Sequence, residues 1–239
     1  FNVAYAGAYE KIGGVNKQVI SPTMAPSPDI YFAIRTQTQD VWPIDEAYLT
    51  YGENVLFTVI EILYDHIGSY NYHTNKIDRS EFQTEYAEHI NNILKFYGDG
   101  YYLEPANGFI MEMPNIALKE QLQSDCEHVP DDILERMRSA SESFYRFDSD
   151  METKKKAICS LADILESFRE PLKQTLSQEY EINQNEHDKL IFEIVNRFNI
   201  RHDKADQLTG YSRDIWYEWA MQYYTSVIIA YYKLDFERI

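Results

Sequence analysis

The residues best equipped for chemistry crowd into one stretch, Asn196-Arg197-Phe198-Asn199-Ile200-Arg201-His202-Asp203. Arginine offers a permanent cation with a planar fork of donors that matches phosphate. Histidine offers a group that changes charge near neutrality. Together they suit phosphodiester cleavage, with the guanidinium on the scissile phosphate and the imidazole beside the 2′-hydroxyl or the leaving oxygen. Arg197 and His202 are five positions apart, so unbroken helix would project them to different sides. A break near Ile200–Arg201 would return His202 to the side of Arg197. Arg201, Asn199 and Lys204 stand close enough in sequence to assist in holding phosphate. The structural alternative is that Arg197, Arg201 and His202 end a helix, where cations offset its dipole.

Other chemistries have weaker support. Lys154-Lys155-Lys156 reads as a solvated helix face that would guide phosphate only if it faced a cleft. Asp163, Glu166 and Glu170 occupy neighbouring helical positions. A di-iron bundle would also need Glu-x-x-His on a facing helix, and Glu186-His187 lacks that spacing. His66 and His73 flank a tyrosine-rich loop without cysteines or paired carboxylates at zinc-site spacing, so no metal and no cofactor is expected. No phosphate loop, dinucleotide fingerprint or GxSxG elbow occurs.

The elements that must position these groups are mainly helical. Residues 1–45 carry Gly7, Gly13, Gly14, Pro22, Pro26, Pro28 and Pro43 and read as loop, with a short extended segment at Ile30–Ile34. A helix is predicted from Asp45 to Ile67, with Leu49, Val55, Leu56, Val59, Ile60 and Leu63 on one face. Ser80 is placed to cap the next helix, whose stripe is Phe82, Tyr86, Ile90, Ile93 and Leu94. Apolar-aromatic runs flank Pro105-Ala106-Asn107-Gly108, and Asn-Gly in that setting predicts a β-hairpin over 101–113. Asn115 should cap a short helix ending near Asp125.

From Pro130 four helices are predicted. The first runs to about Phe147, opened by Pro130, Asp131 and Asp132. Ser149 to Glu152 has the spacing of a capping box for a long second helix through Leu172, which Pro171 should kink. The third spans about 186–200 and the last Arg213 to about Phe236. This last helix is apolar nearly all round, so its aromatic residues should form core and a dimer interface. The expected fold is mainly α: an antiparallel four-helix bundle over 130–239, preceded by an α-rich region, 1–129, that carries the small hairpin.

Composition limits the partners. A formal charge of −17 argues against broad binding to nucleic acid or anionic membranes, so an RNA site would need local positive charge. Cys126 and Cys159 show no disulfide or metal spacing and read as reduced thiols of a cytoplasmic protein. No apolar run is long enough to span a bilayer, and the N-terminal residues lack the pattern of a signal peptide, so no membrane association is expected.

The stretch NRFNIRHDKADQ, followed by a last helix bearing Trp216, Trp219, Tyr223 and Tyr224, resembles the HEPN superfamily, in particular bacterial HEPN proteins of abortive infection. The resemblance covers roughly residues 130–239. It implies a homodimer whose Arg and His pairs, here Arg197 and His202, line one composite cleft for metal-independent RNA cleavage in anti-phage or toxin-type defence. RNA is the expected partner, alongside a partner protein or antitoxin. One position departs from the family pattern. Many active members carry a polar residue directly after the arginine, where this chain has Phe198. That departure favours a second expectation, a non-catalytic dimerisation or protein-interaction module.

Overall fold

The computed structural model describes residues 8–12, 14–20, 25–71, 73, 76–97, 100–113, 121–122, 126–180, 189, 191–194 and 211–236. The chain forms two compact units, Phe1–Glu112 and Met113–Ile239.

The first unit opens with an antiparallel hairpin, β1 (Ala8–Ile12) and β2 (Val15–Ile20), where the sequence predicts loop. Its turn uses Gly14 at φ 83°, a conformation that costs glycine nothing. The prolines that suggest loop begin only at Pro22, beyond β2. The segment expected to be extended at Ile30–Ile34 is instead inside helix α1, Pro28–Thr36. Pro28 in the first turn presets φ, and Asp29 faces the positive end of the helix dipole. Helical spacing also brings Arg35 Nη1 to Tyr31 Oη at 3.3 Å, a pairing an extended chain would not allow.

The single helix predicted from Asp45 to Ile67 is divided. A short α2 (Ile44–Ala47) passes into a 3₁₀ turn at Tyr48–Thr50, and α3 then runs from Glu53 to His66. Gly52 is the extended residue before α3, at φ −72° and ψ 163°. Tyr51 is pinned across the break, its hydroxyl donating to the Val41 carbonyl at 2.5 Å. Leu49 therefore stays 80% exposed, whereas Val59 and Ile62 pack with Phe32 and Val41 into the core.

A two-stranded ladder, β3 (Ser69–Asn71) and β4 (Lys76–Asp78), leads to α4, Ser80–Leu94. Ser80 is already helical and Arg79 holds the cap position, without a side-chain cap bond. Of the predicted stripe, Leu94 is buried but Ile93 is exposed, while Ala87 is fully buried. The hairpin expected over 101–113 is present as β5 (Tyr101–Leu103) and β6 (Ile110–Glu112), with Leu103 opposite Ile110. It is fastened from two helices. Asn91 on α4 exchanges two bonds with Leu103, at 2.7 and 2.9 Å, and the buried Glu61 on α3 accepts the Ile110 N–H at 2.8 Å.

The second unit is a helical bundle. Its described helices are α5 (Asp131–Tyr145), α6 (Met151–Ser167), α7 (Arg169–Tyr180) and α8 (Arg213–Phe236). Helix α6 packs against both α5 and α8, and α8 also meets α7. On α6 Ala157, Ile158, Leu161, Ile164 and Leu165 recur at three- and four-residue intervals, and all are buried. Burying each of the larger ones stabilises the fold by about 1.5–3 kcal/mol.

Two local expectations shift. The cap of α6 is Asp150, whose carboxylate accepts the Thr153 N–H at 2.8 Å. Ser149, the predicted cap, donates its hydroxyl back to the Ser143 carbonyl instead. The predicted long helix through Leu172 breaks at Phe168 (φ −124°, ψ 29°), three residues before Pro171. Pro171 lacks the N–H that would bond the Ser167 carbonyl, and its ring would crowd that carbonyl in unbroken helix. Phe168 stacks on Tyr231 at 4.4 Å, which ties the break to α8.

Most of the short helix predicted after Asn115 and most of the helix predicted over 186–200 lie outside the described residues; 121–122 and Ile191–Ile194 are helical. Among the described residues no helix is long and apolar enough to cross a membrane.

Candidate functional site

Arg197, His202, Arg201, Asn199 and Lys204 all lie outside the described residues. The helical turn leading into them is described, and it is held firmly. Ile191, Phe192 and Ile194 are each at most 4% exposed. From α8, the buried Tyr224 hydroxyl donates to the Ile191 carbonyl at 2.8 Å. From α7, the Arg169 guanidinium lies 4.2 Å from the centre of the Phe192 ring, a cation–π contact. Arg169 also pairs with Glu166 at 3.3 Å.

Tyr224→Phe should therefore lower stability by about 1–2 kcal/mol, because it deletes the donor to a buried carbonyl and little else. Urea denaturation followed by near-ultraviolet circular dichroism measures it. An unchanged midpoint would mean that the bond does not hold this turn.

Glu166 is committed to Arg169 at the end of α6. Among the described residues no group of three or more His, Cys, Asp or Glu side chains is placed to hold a metal ion. In the lysine run, Lys154 places its ammonium 5.3 Å from the centre of the Phe144 ring.

Helix α8 presents a second feature. Its buried side carries Tyr217, Met221, Tyr224, Ile228 and Tyr231. Trp216 and Trp219 are each 39% exposed, and Trp219 stacks on Tyr223 at 5.1 Å with the rings nearly parallel. Aromatic rings half out of water are typical anchors of protein interfaces.

The structure also assembles a titratable cluster that sequence spacing did not reveal. Tyr31 on α1 and His66 at the end of α3 meet edge to face, with Oη and Nε2 3.3 Å apart. His66 Nδ1 is 2.7 Å from the Ile62 carbonyl and must donate to it. In the neutral imidazole Nε2 is then the acceptor for the Tyr31 hydroxyl. Arg35 reaches both Tyr31 Oη and, at 3.4 Å, the Asp65 carboxylate. Arg79 donates to the Asp65 main-chain carbonyl. The bond pattern describes a clasp between α1 and α3. The one sequence signal was His66 itself, since Tyr31 is 35 positions upstream of it and Arg79, which bonds Asp65, is 13 downstream.

Burial holds the His66 pKa below its ordinary 6.5, and the cations of Arg79 and Arg35 act in the same direction against the Ile62 carbonyl and Asp65. A histidine whose folded pKa is depressed stabilises the fold above the unfolded value and loses that contribution as pH falls. The urea midpoint should accordingly drop as pH is lowered from 6.5 toward the folded pKa, and this part of the drop should vanish in His66→Gln. Identical pH profiles for the two proteins would rule the clasp out as the source.

Comparison with known protein families, with curated proteins and with solved structures finds no match to this chain.

Proposed function

We propose that this protein is a metal-independent endoribonuclease or RNA-binding effector of bacterial anti-phage or toxin-type defence. It acts as a homodimer through an antiparallel four-helix, HEPN-like bundle. Arg197 holds the scissile phosphate and His202 serves as acid or base, with Arg201, Asn199 and Lys204 assisting. The observation that carries the reading is the stretch NRFNIRHDKADQ, which resembles the HEPN motif region and precedes the long aromatic helix α8. Support comes from the helical character of the second unit and from the pinned turn Ile191–Ile194 just ahead of the motif. Arg197, Arg201 and Lys204, against Asp203 and Asp206, also give this stretch a small positive excess in a chain of net charge −17, the sign phosphate binding requires.

A second reading, a non-catalytic dimerisation or protein-interaction module, is favoured by Phe198 and by the half-exposed rings of Trp216 and Trp219. The two separate in one assay. Purified protein is incubated with total cellular RNA and with tRNA in EDTA, beside Arg197→Ala and His202→Ala. Cleavage by the wild type alone, with both variants folded, supports the nuclease. If all three are inert, or all equally active, the interaction module stands.

A further inference from the structure

In the first unit a cavity of about 280 Å³ lies between α1 and the chain that follows it, far in sequence from the Arg197–His202 stretch. Its lining mixes three kinds of surface. Ile30, Ala33 and Ile34 on α1 supply apolar carbon. Asp29 and Asp40 supply two carboxylates. Trp42 supplies an indole, held in place by stacking on the fully buried Phe32 at 5.3 Å and 21°. No lysine or arginine is among the residues lining it.

That combination discriminates by charge. An anion would meet two carboxylates and no donor cation. A neutral apolar molecule would gain the carbon surface but no attraction from the carboxylates, which stay hydrated. A cation on a short hydrocarbon stem satisfies all three surfaces, since indole is the strongest aromatic partner for a positive charge. The net charge of −17 further enriches cations near the surface.

We propose that this cavity binds an organic cation, an alkylammonium or alkylguanidinium whose stem lies on Ile30, Ala33 and Ile34 while Trp42, Asp29 and Asp40 hold its charge. Both carboxylates are exposed, so each ion pair contributes modestly and the expected Kd is roughly 0.1–1 mM. The cation has two conceivable sources, a free small amine or the Lys or Arg side chain of a peptide.

The test is calorimetric titration of the full chain at constant ionic strength with n-butylammonium and n-butylguanidinium, beside 1-butanol and butyrate as neutral and anionic counterparts. A Trp216→Phe/Trp219→Phe protein, leaving Trp42 as the one indole, reports the same binding by fluorescence. Saturable binding of the cations alone is expected, weakened about three- to fivefold by Asp29→Asn or Asp40→Asn, with a Trp42 fluorescence change. Equal binding of 1-butanol, no saturation of either cation, or cation binding that both Asn variants leave unchanged would overturn the proposal. A short blocked peptide with one arginine among alanines distinguishes the sources. Binding at least tenfold tighter than n-butylguanidinium assigns the site to a protein side chain, and equal or weaker binding assigns it to a small amine.

Discussion

Gly108→Ala is expected to destabilise the first unit by about 3 kcal/mol. Two costs combine. Gly108 has φ 74°, where a side chain strains the backbone by about 1–2 kcal/mol. The added Cβ would also overlap the Tyr64 ring, and overpacking a filled site typically costs about 1–3 kcal/mol. Tyr64 cannot simply swing aside. It is buried, and its hydroxyl donates to the Pro105 carbonyl at 2.6 Å, in the same hairpin loop that contains Gly108. The loop is closed around this contact by Gly108 N–H to Glu104 O and Glu104 N–H to Phe109 O, both at 2.8 Å. Urea denaturation with hydrogen exchange at residues 101–112 reads the loss. Tyr64→Ala will be costly by itself, but the double variant should cost less than the sum, because the ring that the methyl strikes is gone. A loss below about 0.5 kcal/mol for Gly108→Ala, or strict additivity in the double variant, would contradict this account.

Arg197→Ala and His202→Ala should each reduce RNA cleavage by about 10²- to 10⁴-fold, if the proposed chemistry operates. Removing a positioned acid or base accounts for that range at His202, and removing the cation that neutralises charge developing on phosphate accounts for it at Arg197. Because the two groups would act on one transition state, the double variant should be little worse than either single one. Arg197→Lys is a sharper probe, since it keeps the charge and loses the planar fork that engages two phosphate oxygens. It should retain only part of the activity. Single-turnover rates on one defined RNA measure all four variants. Cleavage abolished by EDTA would remove the metal-independent mechanism, and wild-type rates in both alanine variants would remove the Arg–His pair.

Much of the helical architecture was legible in local sequence. Helix α8 covers Arg213–Phe236, as its aromatic-aliphatic pattern predicts, and α6 buries the apolar residues that recur along it at helical spacing. The β5–β6 hairpin follows from Asn107-Gly108 between two apolar runs. These features depend on periodicity and turn chemistry within a few residues, which the sequence carries directly. Other features depend on partners remote in the chain. The run Ile30–Ile34 is too short for periodicity to separate strand from helix, and the burial of Phe32 among Val41, Val59 and Ile62 goes with the helix. The break at Tyr51–Gly52 is fixed by a hydroxyl reaching back to Val41, and the clasp at His66 by a tyrosine on another helix. The Arg197–His202 pair is a matter of sequence, and its proposed role comes from residue types and spacing. The organic-cation cavity came only from the tertiary structure, because no local pattern announces that Asp29 and Trp42 line one space. Local spacing sets which elements form, whereas burial and long-range hydrogen bonds decide where they stop and which side chains meet.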